Sequence, residues 1–276
     1  MKPLKWLEFT WIHAWLVGRV PDTSKTYHLP SGDDRITYFK KYYATSMLTF
    51  TPLSSLNLSI GNSVIYCSEY INPAYLSPFL VYFNYGSADG SEKSGFYGKE
   101  VQTFINISSR NISHLHLYGN LFINQANLNG ISYKAGVRLS DLPVNNLSIT
   151  AEFTHNRGHA YYSSLITTSY ESNGYNLGSY LKENSMEIYT SLGFKPIRGL
   201  AFFASWMMAK HGEGETLDKL DYLDHEMALS ARYEIINNMY IFIEYLNRQV
   251  EGDVLYIPAI YFGKTNSLVT GLNIGF

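Results

Sequence analysis

Apolar and polar residues alternate with a period of two, over stretches longer than an ordinary strand. Between Asn146 and Asn156, Leu147, Ile149, Ala151 and Phe153 share one face, while Ser148, Thr150, Glu152, Thr154 and Asn156 share the other. Met186, Ile188, Leu192 and Phe194 likewise oppose Ser185, Glu187, Tyr189 and Ser191. Further on, Met227, Leu229, Ala231, Tyr233 and Ile235 oppose Asp224, Glu226, Ser230, Arg232 and Glu234. Tyr133, Ala135, Val137 and Leu139 oppose Lys134, Arg138 and two serines. Successive side chains of a strand point to opposite faces, so each segment has one apolar and one polar side.

The connections alternate too. Short links fall near Thr51–Ser54, Ser109–Ile112, Asp141–Asn146, Pro196–Gly199 and Ile236–Asn238. Long polar stretches lie at about 21–34, 71–97, 157–183, 212–221 and 251–264, and a compact link at Gln125–Gly130 is the exception. The links delimit about twelve strands of roughly 10–16 residues, an even number, as transmembrane barrels have. Two packed soluble sheets are the alternative, but soluble strands average about 5–6 residues. In hydrocarbon every backbone N–H and C=O must be paired within the protein, which a closed barrel achieves. The expected fold is therefore all-β: one antiparallel transmembrane β-barrel domain over 1–276, its long connections extracellular.

Composition narrows the classes further. Of 276 residues, 46% are apolar, too many for a disordered chain. The single cysteine, Cys67, excludes a disulfide framework and a cysteine-built metal centre. A net charge of −2 without long basic runs argues against a nucleic-acid partner. The longest apolar run, Leu200 to Ala209, is about half of what a membrane-spanning helix needs. At the front, Met1-Lys2-Pro3-Leu4-Lys5 looks like the start of a secretory signal, yet Glu8 and His13 interrupt the stretch that follows, which reads as a strand. At the other end, Leu268, Thr270, Leu272, Ile274 and Phe276 alternate on one face. A terminal aromatic on an amphipathic strand is similar to the signal read by bacterial barrel-assembly machinery, which with the outer-membrane lipid is an expected partner.

An ordered set of short segments carries a family resemblance. These are His13-Ala14-Trp15-Leu16, Lys40-Lys41-Tyr42, Thr49-Phe50-Thr51-Pro52 and Ser59-Ile60-Gly61-Asn62-Ser63. Asn72-Pro73-Ala74-Tyr75-Leu76, Ser108-Ser109-Arg110 and His114-Leu115-His116-Leu117-Tyr118 follow. The series resembles the later part of the capsule assembly (Wzi) family of outer-membrane proteins, in the form found in Bacteroidetes, best over about residues 5–125. The resemblance implies a larger barrel of roughly eighteen strands with a small periplasmic helical bundle, of which this chain would be an N-terminally shortened form. It also implies a non-enzymatic protein of the bacterial outer membrane that binds capsular or surface polysaccharide.

The residues suggest where such a polymer would bind. A pyranose packs its apolar face on an aromatic ring while its hydroxyls seek amides, carboxylates and Arg. Tyr161, Tyr162, Tyr170 and Tyr175 crowd one long connection, and Tyr75, Tyr82 and Tyr85 another. An interfacial aromatic belt is the other reading of these tyrosines. The segment opened by Asn72 and Pro73 and carrying Pro78 excludes a ladder strand and is expected in the barrel mouth or lumen. There it would narrow a pore lined by Glu152, Arg138 and Arg232, whose mixed signs do not resemble an ion-selecting ring. A porin-like channel is thus the alternative function.

Enzyme and metal readings are weaker. Glu226 and Glu234 lie eight residues, ~26 Å, apart along a strand, too far for a glycosidase pair. A hydrolase built from His155 or His159 with Ser163 or Ser164 lacks a recognisable motif. His114 with His116, on one strand face, and His211 with His225, flanking one connection, are incomplete metal pairs. No metal or cofactor is expected.

Overall fold

A computed structural model describes residues 4–77, 96–125, 130–158, 160–161, 163, 165–181, 183–212, 221–253 and 259–274. Twelve strands form one antiparallel sheet: β1 (Leu7–Leu16), β4 (Lys41–Leu53), β5 (Leu56–Ser68), β6 (Phe96–Ser109), β7 (Leu115–Asn124), β8 (Ile131–Ser140), β9 (Leu147–Arg157), β12 (Ser185–Ile197), β13 (Leu200–His211), β14 (Tyr222–Ile236), β15 (Met239–Gly252) and β16 (Gly263–Ile274). They pair in that order. Two small hairpins belong to long connections: β2 (Tyr27–His28) with β3 (Asp34–Arg35), and β10 (Glu171–Ser172) with β11 (Tyr175–Asn176). The sheet strands run from 10 to 15 residues, enough to cross a hydrocarbon layer when tilted.

Register follows the alternation. Phe202, Ala231 and Ile243 fall in one row, and Ser205, Ala228 and Leu246 in another. A slip of one residue would turn every apolar side chain of a strand to the polar face. The short links are tight: Leu53 pairs with Leu56, Ile197 with Leu200 and Ile236 with Met239. Asn238 and Gly199 take the positive φ values such turns require.

Contacts divide the chain into two compact units, one of Met1–Ile107, Asn120–Ser132 and Asn156–Glu183, the other of Ser108–Gly119, Tyr133–His155 and Asn184–Phe276. In the first unit the buried cluster is Tyr42, Ala44, Val64, Tyr66 and Val101 on the apolar face, with Ile71 and Tyr75 packed against it. Nearer the short links the same face leaves Leu48, Phe50, Ile60 and Ile107 exposed. In the second unit Phe202, Trp206, Leu229, Ile243 and Leu268 stand exposed on the apolar face, Leu268 at 65%. Exposed Leu, Ile and Phe recur on the apolar faces of adjoining strands within each unit, and hydrocarbon is the solvent that suits them.

Candidate functional site

The polar face of the first unit is covered by its own connection. The Lys41 ammonium, at the start of β4, donates to the Ser169 hydroxyl (3.1 Å) and the Glu171 carbonyl (2.8 Å). On β6, the Glu100 carboxylate accepts from the Ser163 hydroxyl (3.1 Å), which also shares a 2.8 Å bond with Thr168. On β8, Ser132 accepts from the Tyr161 phenol (2.8 Å) and donates to Asn156 (2.6 Å). The Tyr161 ring rests where Gly178 leaves no Cβ in the way. Tyr170 packs among Tyr43, Phe122 and Tyr161, with ring centroids 6.4, 5.4 and 5.8 Å away.

Two of the tyrosines expected to face a glycan, Tyr161 and Tyr170, are therefore struts that tie the connection to the polar face. Burying a ring and bonding its hydroxyl there contributes more than leaving it in water. Burial pushes both phenols above the ordinary tyrosine value, with Tyr43 adding to the rise at Tyr170.

The connection then turns outward. Asn173 and Gly174 both have positive φ, 52° and 79°, the requirement of a two-residue turn matched to strand twist. The hairpin they close is tied to β1's end: the Asn173 N–H donates to the Val17 carbonyl (2.9 Å), the Val17 N–H to the Ser172 hydroxyl (3.1 Å), and Arg19 Nη2 to Asn173 Oδ1 (3.1 Å). At its tip Tyr175 is 75% exposed, and Tyr180 beyond it 62%. In the preceding long connection Tyr70 is 72% exposed, with the Lys40 ammonium 6.0 Å above its ring. Asn173-Gly174 is a hairpin signal present in the sequence, and it is what lifts Tyr175 into solvent.

The segment expected in the lumen lies elsewhere. Asn72 caps a short 3-10 turn, Pro73–Leu76, its Oδ1 accepting from the Ala74 N–H at 3.0 Å. Tyr75 packs on Tyr66 at 4.5 Å, and the Asn72 N–H donates to the Tyr66 hydroxyl, which also bonds His13 at 3.0 Å. Tyr66 shares its face of β5 with Leu58 and Ile60, so Asn72, Pro73 and Tyr75 sit over the apolar face and do not narrow a pore. Aromatic contact and the Tyr66 phenol, which accepts from the Asn72 amide, hold them there. Pro78, Tyr82, Tyr85, Tyr162 and Phe276 lie outside the described residues.

The polar face of the second unit is a network of charges. Glu152 accepts from the Tyr118 phenol and pairs with Lys134 at 2.6 Å. Asp224, 1% exposed, takes both prongs of the Arg248 guanidinium (Nε to Oδ1 3.0 Å, Nη2 to Oδ2 2.5 Å) and a bond from Tyr222. Arg232 lies over the Tyr240 ring at 4.9 Å. The sheet register puts Arg138 on the same face of β8 as Lys134. Bidentate pairing of this kind fixes a wall.

The histidine pairs separate. His114 takes a positive φ of 64° in the turn before β7 and bonds the Ser140 carbonyl through Nδ1, whereas His116 bonds Ser108. His211 stands opposite Tyr222 and His225 opposite Met208, which puts the two on opposite faces; His211 pairs instead with Asp221 at 3.1 Å. Ser163 is bonded to Glu100 and Thr168, and the His155 ring lies tilted against Tyr133, centroids 5.4 Å apart. Among the described residues no three His, Cys, Asp or Glu gather as metal ligands.

No family model and no curated protein matches the chain. Among solved structures it is similar to Wzi, described as an outer-membrane protein involved in group 1 capsule assembly in Escherichia coli and a carbohydrate-binding β-barrel. The TM-score is 0.54 at 12% identity, covering 86% of this chain and 52% of that one. The chain spans about half the length of that structure. Lower likenesses include Salmonella typhi OmpF (TM-score 0.43, 10% identity, 97% of each chain) and the NanC porin (0.38, 12% identity, 86% of this chain and 94% of that one). The fold is that of an antiparallel outer-membrane β-barrel.

Proposed function

We propose that this protein resides in the bacterial outer membrane and holds a capsular or other surface polysaccharide there without altering it chemically. The observation that carries the reading is the 160–176 segment. Bonds to Lys41, Glu100 and Ser132 anchor it on the polar face, and its hairpin offers Tyr175 to solvent. Exposed Tyr70, Tyr175 and Tyr180 supply flat apolar faces for pyranose rings, with Lys40, Arg19 and Asn173 beside them for hydroxyls. The fold-level likeness to a carbohydrate-binding barrel supports the same reading. The strand Gly263–Ile274 presents Leu268, Leu272 and Ile274 on its apolar face, suited to the barrel-assembly machinery and to lipid.

Binding to a polymer through several weak aromatic contacts is strengthened by multivalency. The test is retention of purified capsular polysaccharide by the refolded protein in detergent micelles. Replacing Tyr70, Tyr175 and Tyr180 together with Ala is expected to weaken retention by about tenfold or more. Unchanged retention, or a steady open-pore current from the intact protein in a planar bilayer, would favour the channel reading instead.

A further inference from the structure

We infer that the second unit contains a sugar-sized pocket on its polar face, near the short links of β13–β16 and away from the long connections. A concavity of about 360 Å³ opens there, within the range typical of small-ligand sites. Its construction follows from the register. Phe203 stands opposite Ser230, which stands opposite Glu244. In the next row Ala201 faces Arg232, Arg232 faces Phe242, and Phe242 faces Gly271. Ala201 contributes only a methyl group to its row, and this leaves room. The Phe242 ring lies against Gly271 so closely that a Cβ there would be 2.6 Å from ring carbons, a close approach that calls for glycine.

Two phenylalanine rings on the face that carries Ser230, Arg232 and Glu244, with Val269 beside them opposite Glu244, are the unexpected element. Phe203 is 42% exposed, and a hydrated wall gains nothing from apolar rings turned to water. The polar groups around them are unspent. Ser230, Glu244 and Asn273 make no side-chain hydrogen bond or ion pair among the described residues, and Arg232 is held over Tyr240 by a cation–π contact alone. One cation and one anion offset each other, so the pocket favours no net charge. A neutral hexose meets these demands: its C–H face covers Phe242 or Phe203, while its hydroxyls donate to Glu244 and accept from Arg232 and Asn273. The choice of a sugar rests in part on the polysaccharide-holding function proposed above, whereas the pocket's geometry does not.

The test uses the full chain refolded in micelles and saturation-transfer NMR with the methyl glycosides of D-glucose, D-galactose and D-mannose. Transfer to pyranose C–H protons is expected for at least one of them, with a Kd on the order of 1 mM. Phe242→Ala and Glu244→Gln are each expected to weaken it about tenfold, with a folded β-sheet circular dichroism spectrum retained. All of these glycoside measurements are made in a chain that already carries Tyr70→Ala, Tyr175→Ala and Tyr180→Ala, so that the pyranose contacts proposed for the long connections are absent and only this pocket is read. If Phe242→Ala does not fold, Glu244→Gln decides. No transfer from any of the three glycosides overturns the pocket, as does transfer that survives Glu244→Gln. Hexose binding here without polymer retention would keep the pocket and refute the polysaccharide function; polymer retention without hexose binding would do the reverse.

Discussion

The Lys41 ammonium and the Ser169 hydroxyl, 128 positions apart in the chain, share a 3.1 Å hydrogen bond. With the companion bond to the Glu171 carbonyl, it pins a long connection to the polar face of β4. Lys41→Met removes both donors and leaves two acceptors on the polar face without them, a cost of about 1–3 kcal/mol. Cleavage by a protease added outside the micelle is expected to become faster within 160–180 and to stay unchanged elsewhere. Equal cleavage rates in both proteins would show that the segment is held by other means.

The phenols of Tyr161 and Tyr170 give the same docking a pH signature. Burial raises both above the ordinary value of 10.0, so the neutral form is the one the docked segment prefers. The stabilisation is complete below pH 10 and is lost as the pH rises toward the raised values. In an ultraviolet titration of phenolate formation Tyr161 and Tyr170 are expected among the tyrosines that ionise late, and Tyr161→Phe is expected to remove one late group. All tyrosines ionising together near the ordinary value would contradict the docking.

Asp224 is nearly inaccessible, and Arg248 satisfies it with a two-pronged contact. Removing the guanidinium leaves a carboxylate without its main partner, while Tyr222 still donates. Arg248→Ala is expected to lower the unfolding free energy in urea by about 2–3 kcal/mol. The double variant with Asp224→Asn is expected to recover part of it, because the stranded charge is gone. A double variant no more stable than Arg248→Ala would place the loss elsewhere.

On the apolar face, the Tyr66 hydroxyl bonds His13 and accepts from the Asn72 N–H. Tyr66→Phe keeps the ring contacts with Tyr42 and Tyr75 and deletes only the hydroxyl. The expected loss is about 1 kcal/mol, read from the same urea transition. A loss several times larger would mean that the 71–77 segment detaches with the hydroxyl.

The strands were legible in the sequence because alternation is a local property: each of Asn146–Asn156 and Asp224–Ile235 shows its two faces without reference to any partner. Short links were equally readable, since Asn238 and Gly199 mark turns by conformational preference. The docking of 160–176 was not, because Lys41 and Ser169 meet only after β4 and β9 are placed, and nothing in a run of Ser, Thr and Tyr says which face it will cover. Asn72 and Pro73 announce a capped turn, but not the side of β5 on which it lies; Tyr66 decides that. The pocket residues left a signal that was available. Phe203 and Phe242 occupy polar-face positions of their strands, a break in pattern whose reason appears only when β13, β14 and β15 are set side by side. Asn173-Gly174 was likewise a readable hairpin.

Lipid contact with the apolar face is the claim on which the rest depends, and Trp206 reports on it. Trp206 is exposed on the apolar face of β13, and Trp6, Trp11 and Trp15 are the other tryptophans of the chain. With those three replaced by Phe, the protein refolds into vesicles whose acyl chains carry bromine at graded depths. Strong quenching of Trp206 by the brominated chains, with little quenching by aqueous iodide, is the expected result. Efficient quenching by iodide and none by the brominated chains would mean that water, not hydrocarbon, covers this face.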